Sequence, residues 1–389
     1  MQSSAKMRFL KDPSVTRKTS MLKLAYVGGL GMMAGPAATH LEQGGPAAVL
    51  RVQDRGTRGG SRDQYRADWR NHGAELVATL EGLVGEGDLD GVVVCAGKNG
   101  DDVQIIAELT QRLKQVSTGR PFILHLSTVS PDFAEAAFQF CSDQQVDYIN
   151  YPLTGGPLGA QLGGADPKGM LILASGDESI YQRLLPLLKR LGHPKFFGPS
   201  PSAGAVTKLI GHHMVFNGLN GIATAAAIHA DCFNQGKLGG AAQTDYLSFL
   251  NGGAGGTRQW DVGLSKGIAQ DCWDQGFSIH HAVIDAVYAA RLAVAAGLPR
   301  ISIQGMTNIA FAFAYLLHKF PGETLGTHSI VREMIRQQSA GLDQFMSEHG
   351  AFAANAALVI ADCVASLPEA IQASALIEVS VADFESGAC

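Results

Sequence analysis

Lys208 is a candidate for moving a proton. It lies in Gly204-Ala205-Val206-Thr207-Lys208-Leu209-Ile210-Gly211-His212, a stretch in helical register that puts Gly204, Lys208 and His212 on one face. A lysine between apolar neighbours can have its pKa drawn down by desolvation, whereas a lysine near a helix start can simply face solvent; spacing alone leaves both open. His212 is open in the same way, between a partly buried hydrogen-bonded ring and a site role. The adjacent His213 points about 100° away and is expected to be structural. Two further segments offer anion contacts. Ser127, in Ser127-Thr128-Val129-Ser130-Pro131, follows an apolar run and so sits at a strand's carboxyl end, where open α/β sheets hold ligands. In Tyr151-Pro152-Leu153-Thr154-Gly155-Gly156-Pro157-Leu158-Gly159-Ala160, the Thr154 hydroxyl and the N–H groups of Gly155 and Gly156 can line an anion-binding concavity. Gly276, Phe277, Asp285, Gly297 and Pro299 mark a later helix and its end.

Near the start of the chain, an apolar run at 22–27 enters Gly28-Gly29-Leu30-Gly31-Met32-Met33-Ala34, with a helix expected over 35–41. From Gly29 this is G-x-G-x-x-A: a first glycine for the tight turn, a second for close approach of a pyrophosphate, and a small third residue for helix–strand packing. The helix N-terminus would add unpaired N–H groups for the phosphates. A second strand ends at Asp54, where an acid can accept hydrogen bonds from a ribose diol. Arg55 and Arg58 beside it could instead bind a 2′-phosphate. Residues 51–70 hold six arginines and three aspartates, which a solvated helix face would also explain. The cofactor expected is NAD or NADP, with a lean to NAD.

These segments need a scaffold. Apolar runs at 22–27, 47–52, 91–95, 122–126, 146–151 and 170–174 alternate with helical periods such as 103–116 and 131–141, which predicts a mostly parallel, doubly wound α/β sheet. After Pro201, Ala/Leu/Gly helical patterns dominate. A proline-free stretch from 204 to about 233 predicts one long helix bridging two domains, and further helices are expected at 241–250, 278–296, 303–317 and 351–366.

Composition narrows the class. A chain of 389 residues with 46% apolar and 17% charged residues is globular and too long for one compact core. A net charge of −5 gives no field for nucleic acid. No apolar run of about eighteen residues could span a bilayer. The six cysteines are scattered without CxxC, so neither a disulfide framework nor a zinc ribbon is indicated, and a cytoplasmic setting fits. His125, His280 and His281 have no set of nearby acids with metal-ligand spacing, so no metal is expected. Residues 1–20 are basic without an apolar core and are expected to form a flexible leader before Met21.

Taken in order over roughly 21–330, these segments resemble the β-hydroxyacid dehydrogenase family, which contains 3-hydroxyisobutyrate dehydrogenases and is related to 6-phosphogluconate dehydrogenase. The matching elements are Gly29-Leu30-Gly31-Met32-Met33-Ala34, Ser127 to Pro131, Pro152 to Ala160 with Thr154 in place of serine, Gly204 with Lys208, and Gly276-Phe277 with Asp285, Gly297 and Pro299. The resemblance implies an N-terminal Rossmann domain (21–200), a long interdomain helix, and an all-α C-terminal domain (201–389) that commonly forms homodimers or homotetramers. Residues 335–389 extend beyond the family match. It further implies that Ser127, Thr154, Gly155 and Gly156 hold a small substrate's carboxylate, with Lys208 as acid/base. Three departures stand out. His212 replaces an asparagine, Ile284 replaces the lysine before Asp285, and Ala96-Gly97-Lys98-Asn99-Gly100 replaces the usual Leu-Pro loop beside the nicotinamide. The expected activity is hydride transfer between a nicotinamide and a 3-hydroxyacid or semialdehyde. An imine reductase, in a fold group that usually lacks this lysine, and a non-catalytic NAD(P)-binding scaffold are the alternatives.

Overall fold

The computed structural model describes residues 21–41, 45–57, 59–87, 89–117 and 119–387; the basic leader and Arg58 lie outside them. Six parallel strands form the main sheet in the order β3-β2-β1-β4-β5-β6: β1 Leu22–Val27, β2 Ala47–Gln53, β3 Glu75–Val77, β4 Gly91–Val94, β5 Phe122–His125 and β6 Asp147–Asn150. The central strands β4 and β5 are buried along their whole length, as unbroken apolar runs covered by helices on both faces should be. Strand order reverses between β1 and β4, which opens a crevice at their carboxyl ends. Residues 28–31 and 95–98 border it.

Two expectations are corrected here. The apolar run at 170–174 is not a strand of the main sheet. As β8 (Leu171–Ala174), it pairs antiparallel with β7 (Leu153–Thr154) and parallel with β9 (His193–Phe196) in a separate three-stranded sheet. The sixth main strand is instead the three-residue β3, too short and too polar at Glu75 to register as an apolar run. The helix expected over 35–41 is only one turn, Ala37–His40, reached through successive tight turns closed by Gly31 N–H to Gly28 O and Gly35 N–H to Gly31 O. Pro36, just ahead of it, has no N–H to give a ladder.

The long helix runs Ala203–Phe233, 31 residues and about 46 Å at 1.5 Å per residue. Its buried face, which includes Leu209, Phe216, Leu219, Ala223 and Ala226, joins the core formed with helices Ile279–Ala295 and Arg300–Lys319. Alanines at 282, 286, 289, 290, 310, 312 and 314 are all buried in this core. The extension returns across the molecule. Ala356–Ala365 packs on those two helices, while Glu369–Ala375 and Val381–Gly387 cover Asn99–Val116, and Val381–Gly387 also covers Pro131–Asp143 on the sheet side. Among the described residues no helix is long and apolar enough to cross a membrane.

Candidate functional site

The turn after β1 is shaped by its glycines. Gly28 has φ +77°, and a Cβ there would strike the Cys95 carbonyl at the end of β4. The Gly29 carbonyl accepts a hydrogen bond from Trp69 Nε1 at 2.7 Å, and its Cα faces Val52. At Gly31 a Cβ would press on the Gly28 carbonyl at 3.1 Å and meet nothing else within 4 Å. Leu30 and Ala34 are buried, Met33 partly so, and Met32 is exposed. An open glycine backbone at the point where strand order reverses suits a dinucleotide's phosphates, although the one-turn helix supplies less of a dipole than a long helix would.

Asp54 and its basic neighbours are more structured than a solvated face. Arg66 is buried, and its guanidinium forks onto Asp54, with Nε to Oδ2 and Nη2 to Oδ1 both at 2.7 Å; Nη1 reaches Asp63 at 2.6 Å. Gly56 N–H also donates to Asp54 at 2.9 Å. This bidentate pair fixes the acid at the end of β2 and raises Arg66's pKa still further through its hydrogen bonds to Asp54. Arg55 is exposed.

At the chemical end, Ser127 is buried, and its Oγ accepts from Ala96 N–H at 3.2 Å, which ties the β5 loop to the β4 loop containing Ala96 and Gly97. Asn150 Nδ2 reinforces that junction by donating to the carbonyls of His125 and Ser127, at 3.1 and 3.2 Å. Thr154 ends β7, and Gly155 and Gly156 follow with φ of +141° and +65°, backbone that a side chain would strain. The long helix begins against this region. Gly204 N–H donates to Ser175 Oγ at 2.9 Å, and its Cα is pressed against the Leu173 and Asn150 carbonyls, which leaves no room for a larger residue.

One and two turns further along come Lys208 and His212, and beside His212 lies a charged pair that the sequence did not suggest. The Lys98 ammonium, from the β4 loop, forms a buried ion pair with Asp285 of the helix Ile279–Ala295. His212 Nδ1 is 3.5 Å from the other Asp285 oxygen but has no hydrogen-bond partner. Lys98, His212 and Asp285 are 5%, 3% and 1% exposed, so this cluster is screened from water. Among the described residues, no carboxylate lies within 4.0 Å of Lys208 Nζ. Burial pushes its pKa down to about 8; Asp285 opposes the shift and Lys98 adds to it. Burial, followed by the charges of Lys208 and Lys98, holds His212 well below the usual histidine value and therefore neutral. His212's ring sits edge-on to Phe216 at 5.2 Å, while His213 contacts the Ala289 carbonyl at 3.0 Å on another side of the helix.

Replacement of the family's lysine by Ile284 thus does not leave Asp285 without a cation, because Lys98 supplies one from the other half of the chain. Ile284 itself is core. The sequence signal was present but was not read as a site: a lysine in a loop of small residues at the carboxyl end of a buried strand. Trp260 and Trp273 are buried in the helical core. Among the described residues, no three His, Cys, Asp or Glu side chains converge as a metal site.

Residues 23–210 match the NAD binding domain of 6-phosphogluconate dehydrogenase. An uncharacterized oxidoreductase from Synechocystis sp. is 26% identical over 312 residues, covering 78% of this chain and 95% of that protein. A probable 3-hydroxyisobutyrate dehydrogenase-like protein of Arabidopsis thaliana is 28% identical over 163 residues, 42% of this chain and 45% of that protein. The 3-hydroxyisobutyrate dehydrogenase structure from Salmonella typhimurium superposes with a TM-score of 0.64 at 18% identity, covering 80% of this chain and 99% of that one. The corresponding Mycobacterium tuberculosis structure gives 0.61 at 18% identity, covering 81% and 99%. The glycine turn at the sheet's reversal point, the matched stretch from β1 into the long helix, and these relatives together make the chain a nicotinamide-dependent oxidoreductase that resembles the β-hydroxyacid dehydrogenases.

Proposed function

We propose that the chain transfers hydride between NAD(P) and the carbinol of a small 3-hydroxyacid, or in reverse its semialdehyde, with Lys208 as general acid/base. The observation that carries this reading is the placement of Lys208: half-buried on the long helix, one turn before His212 and without a carboxylate of its own, in surroundings that push its pKa down to about 8, where a proton can move either way. The turn 28–31 together with Ala96 and Gly97 would hold the dinucleotide, which when bound supplies the hydride-exchanging carbon. Asp54, fixed by Arg66 at the end of β2 where an acid meets a ribose hydroxyl, favours NAD.

The Thr154 hydroxyl and the N–H groups of Gly155 and Gly156 receive the substrate carboxylate. Ser127, whose Oγ already accepts from Ala96, has its hydroxyl proton left to donate. Neutral Lys208 takes the hydroxyl proton as the carbinol is oxidised and returns it in the reverse direction. His212, kept neutral by burial, can only orient the substrate. Residues 21–200 would hold the cofactor and the substrate carboxylate, and the long helix would bring Lys208 and His212 to the same cleft.

Lys208→Ala is expected to lower kcat by about 10²-fold or more while dinucleotide affinity stays within error, assayed over a panel of 3-hydroxyacids and semialdehydes with both cofactors. Unchanged turnover would remove Lys208 from the chemistry. A scaffold without chemistry would show no turnover on the panel in the unaltered protein, and an amine-dependent oxidation of NAD(P)H would move the reading to imine reduction.

A further inference from the structure

Lys98 and Asp285 are 187 residues apart in sequence, yet they form the most deeply buried lysine–carboxylate pair among the described residues. Their environment gives the pair a consequence. The Lys98–Asp285 pair lies against the long helix at His212, whose Nδ1 is 3.5 Å from Asp285, and Lys208 stands one turn before His212 on that helix, close enough for the charges of Lys98 and Asp285 to act on it. A carboxylate shared by two nearby ammonium groups in a dry site stabilises most the one it touches, because Coulomb energy at low effective dielectric falls off with distance. Asp285 touches Lys98, and Lys208 has no such contact.

We propose that Lys98 is a positioning residue for Lys208: by holding the Asp285 carboxylate on its own side of the cleft, it denies Lys208 an ion-pair partner and so leaves Lys208 free to release its proton. The inference rests on the reading of Lys208 as acid/base given above and adds a residue that acts through it.

The surrounding groups are consistent with that assignment. On its own helix Lys208 is followed by His212, neutral in its buried setting, and by His213, whose ring is turned to the Ala289 carbonyl. From the helix Ile279–Ala295 come Asp285 and, one turn earlier, His281, which burial and Lys98 keep below its ordinary value. From the β4 loop come Lys98 and Asp101, the latter accepting from the Lys98 backbone N–H at 3.1 Å. Asp102, next along, is bonded to His125 at 2.8 Å. On the helix Pro131–Asp143, Glu135 is taken by the Ser202 hydroxyl at 2.7 Å. Asp285 is therefore the carboxylate whose allegiance decides the state of Lys208. Lys98 also repels a proton on Lys208 directly, so removing it acts in the same direction twice. The geometry also accounts for Ile284: with the cation delivered from the β4 loop, a second lysine beside Asp285 would be surplus in a dry site.

The test is a side-chain titration of Lys208 by NMR in the full-length protein, using lysine labelled at Cε and assigned by its absence in Lys208→Ala. In the unaltered protein the midpoint is expected near 8. In Lys98→Met it is expected to rise by at least one unit toward the ordinary lysine value, as Asp285 turns to Lys208. It stays low in Lys98→Arg, which can still hold the carboxylate, and in Lys98→Met/Asp285→Asn, which removes both partners and guards against a folding defect from an orphaned charge. A midpoint unchanged in Lys98→Met, or raised equally in the double variant, overturns the proposal. The readout needs no substrate, so a failure here is separate from a failure of Lys208→Ala to slow turnover.

Discussion

Phe384, in the helix Val381–Gly387, lies edge-on against Phe133 with ring centroids 5.1 Å apart and stacks on Phe140 at 5.6 Å, buried completely. Both partners belong to the helix Pro131–Asp143 on the sheet side. The segment leading to it is gripped from both halves: Tyr288 and Arg291 donate to the Ala375 and Ile377 carbonyls, Asn99 Nδ2 donates to Leu376 O at 3.0 Å, and Asp132 accepts from Val379 N–H at 2.9 Å. The C-terminal extension is thus a strap across the two halves, and Asn99, which it holds, directly follows Lys98.

Cutting that anchor should loosen both halves together. Phe384→Ala removes a fully buried ring and is expected to cost about 3–5 kcal/mol, seen as a lower Tm, with faster amide exchange in 99–116 and 131–143. A chain ended after Leu367 should lose more. A Tm unchanged in both would mean that the strap contributes nothing to the fold.

The depressed Lys208 pKa gives opposite pH limbs in the two reaction directions. Oxidation requires the neutral amine, so kcat/KM for a hydroxyacid should rise with pH and level off above about 8. Reduction requires the ammonium, so kcat/KM for a semialdehyde should fall as pH rises through the same value. Initial rates from pH 6 to about 10, with stability checked at each end, make the comparison. Limbs of the same sign would point to another group.

Much of this architecture was legible in the residues, and the gaps have physical causes. Strands β1, β2, β4, β5 and β6 announce themselves because burial demands apolar runs. β3 does not, since three residues with an exposed Glu75 bury too little to leave a pattern. The run at 170–174 is as apolar as a central strand, but hydrophobicity does not encode which neighbour a strand pairs with, and it went to another sheet. Lys208, Ser127 and the Thr154–Gly156 turn stand out as candidates because their local motifs are ordered along the chain. Lys98 was passed over because its meaning lies in Asp285, far away in sequence. Arg66 was one of six arginines until the fold buried it on Asp54.

Acid should destabilise the protein through its buried histidines. Burial lowers the folded-state pKa of His212, and also those of His72, His281 and His328, below the ordinary 6.5. The unfolded chain then binds protons that the folded one refuses, so this stability is fully present above about 6.5 and is lost as pH falls below it. Tm should drop between pH 7.5 and about 5.5, and less steeply in His212→Asn, which cannot be charged. An equal slope in that variant would show that His212 accepts its proton in place.

The glycine turn allows folding and cofactor binding to be separated by one methyl group. At Gly28 a Cβ collides with the Cys95 carbonyl and φ is +77°, so Gly28→Ala should lower Tm sharply as β1 and β4 are forced apart. At Gly31 the same methyl group presses only on the Gly28 carbonyl, at 3.1 Å, with φ outside the left-handed region, so Gly31→Ala should cost much less Tm than Gly28→Ala. Its methyl group, however, occupies the open side of the turn, where a pyrophosphate must approach the backbone, and dinucleotide affinity is expected to fall at least about tenfold, about 1.4 kcal/mol. Calorimetric titration with NAD and NADP beside a thermal melt separates the two effects. If Gly31→Ala binds as tightly as the unaltered chain, the phosphates do not lie over this turn, and the cofactor must enter the crevice from the β4 side.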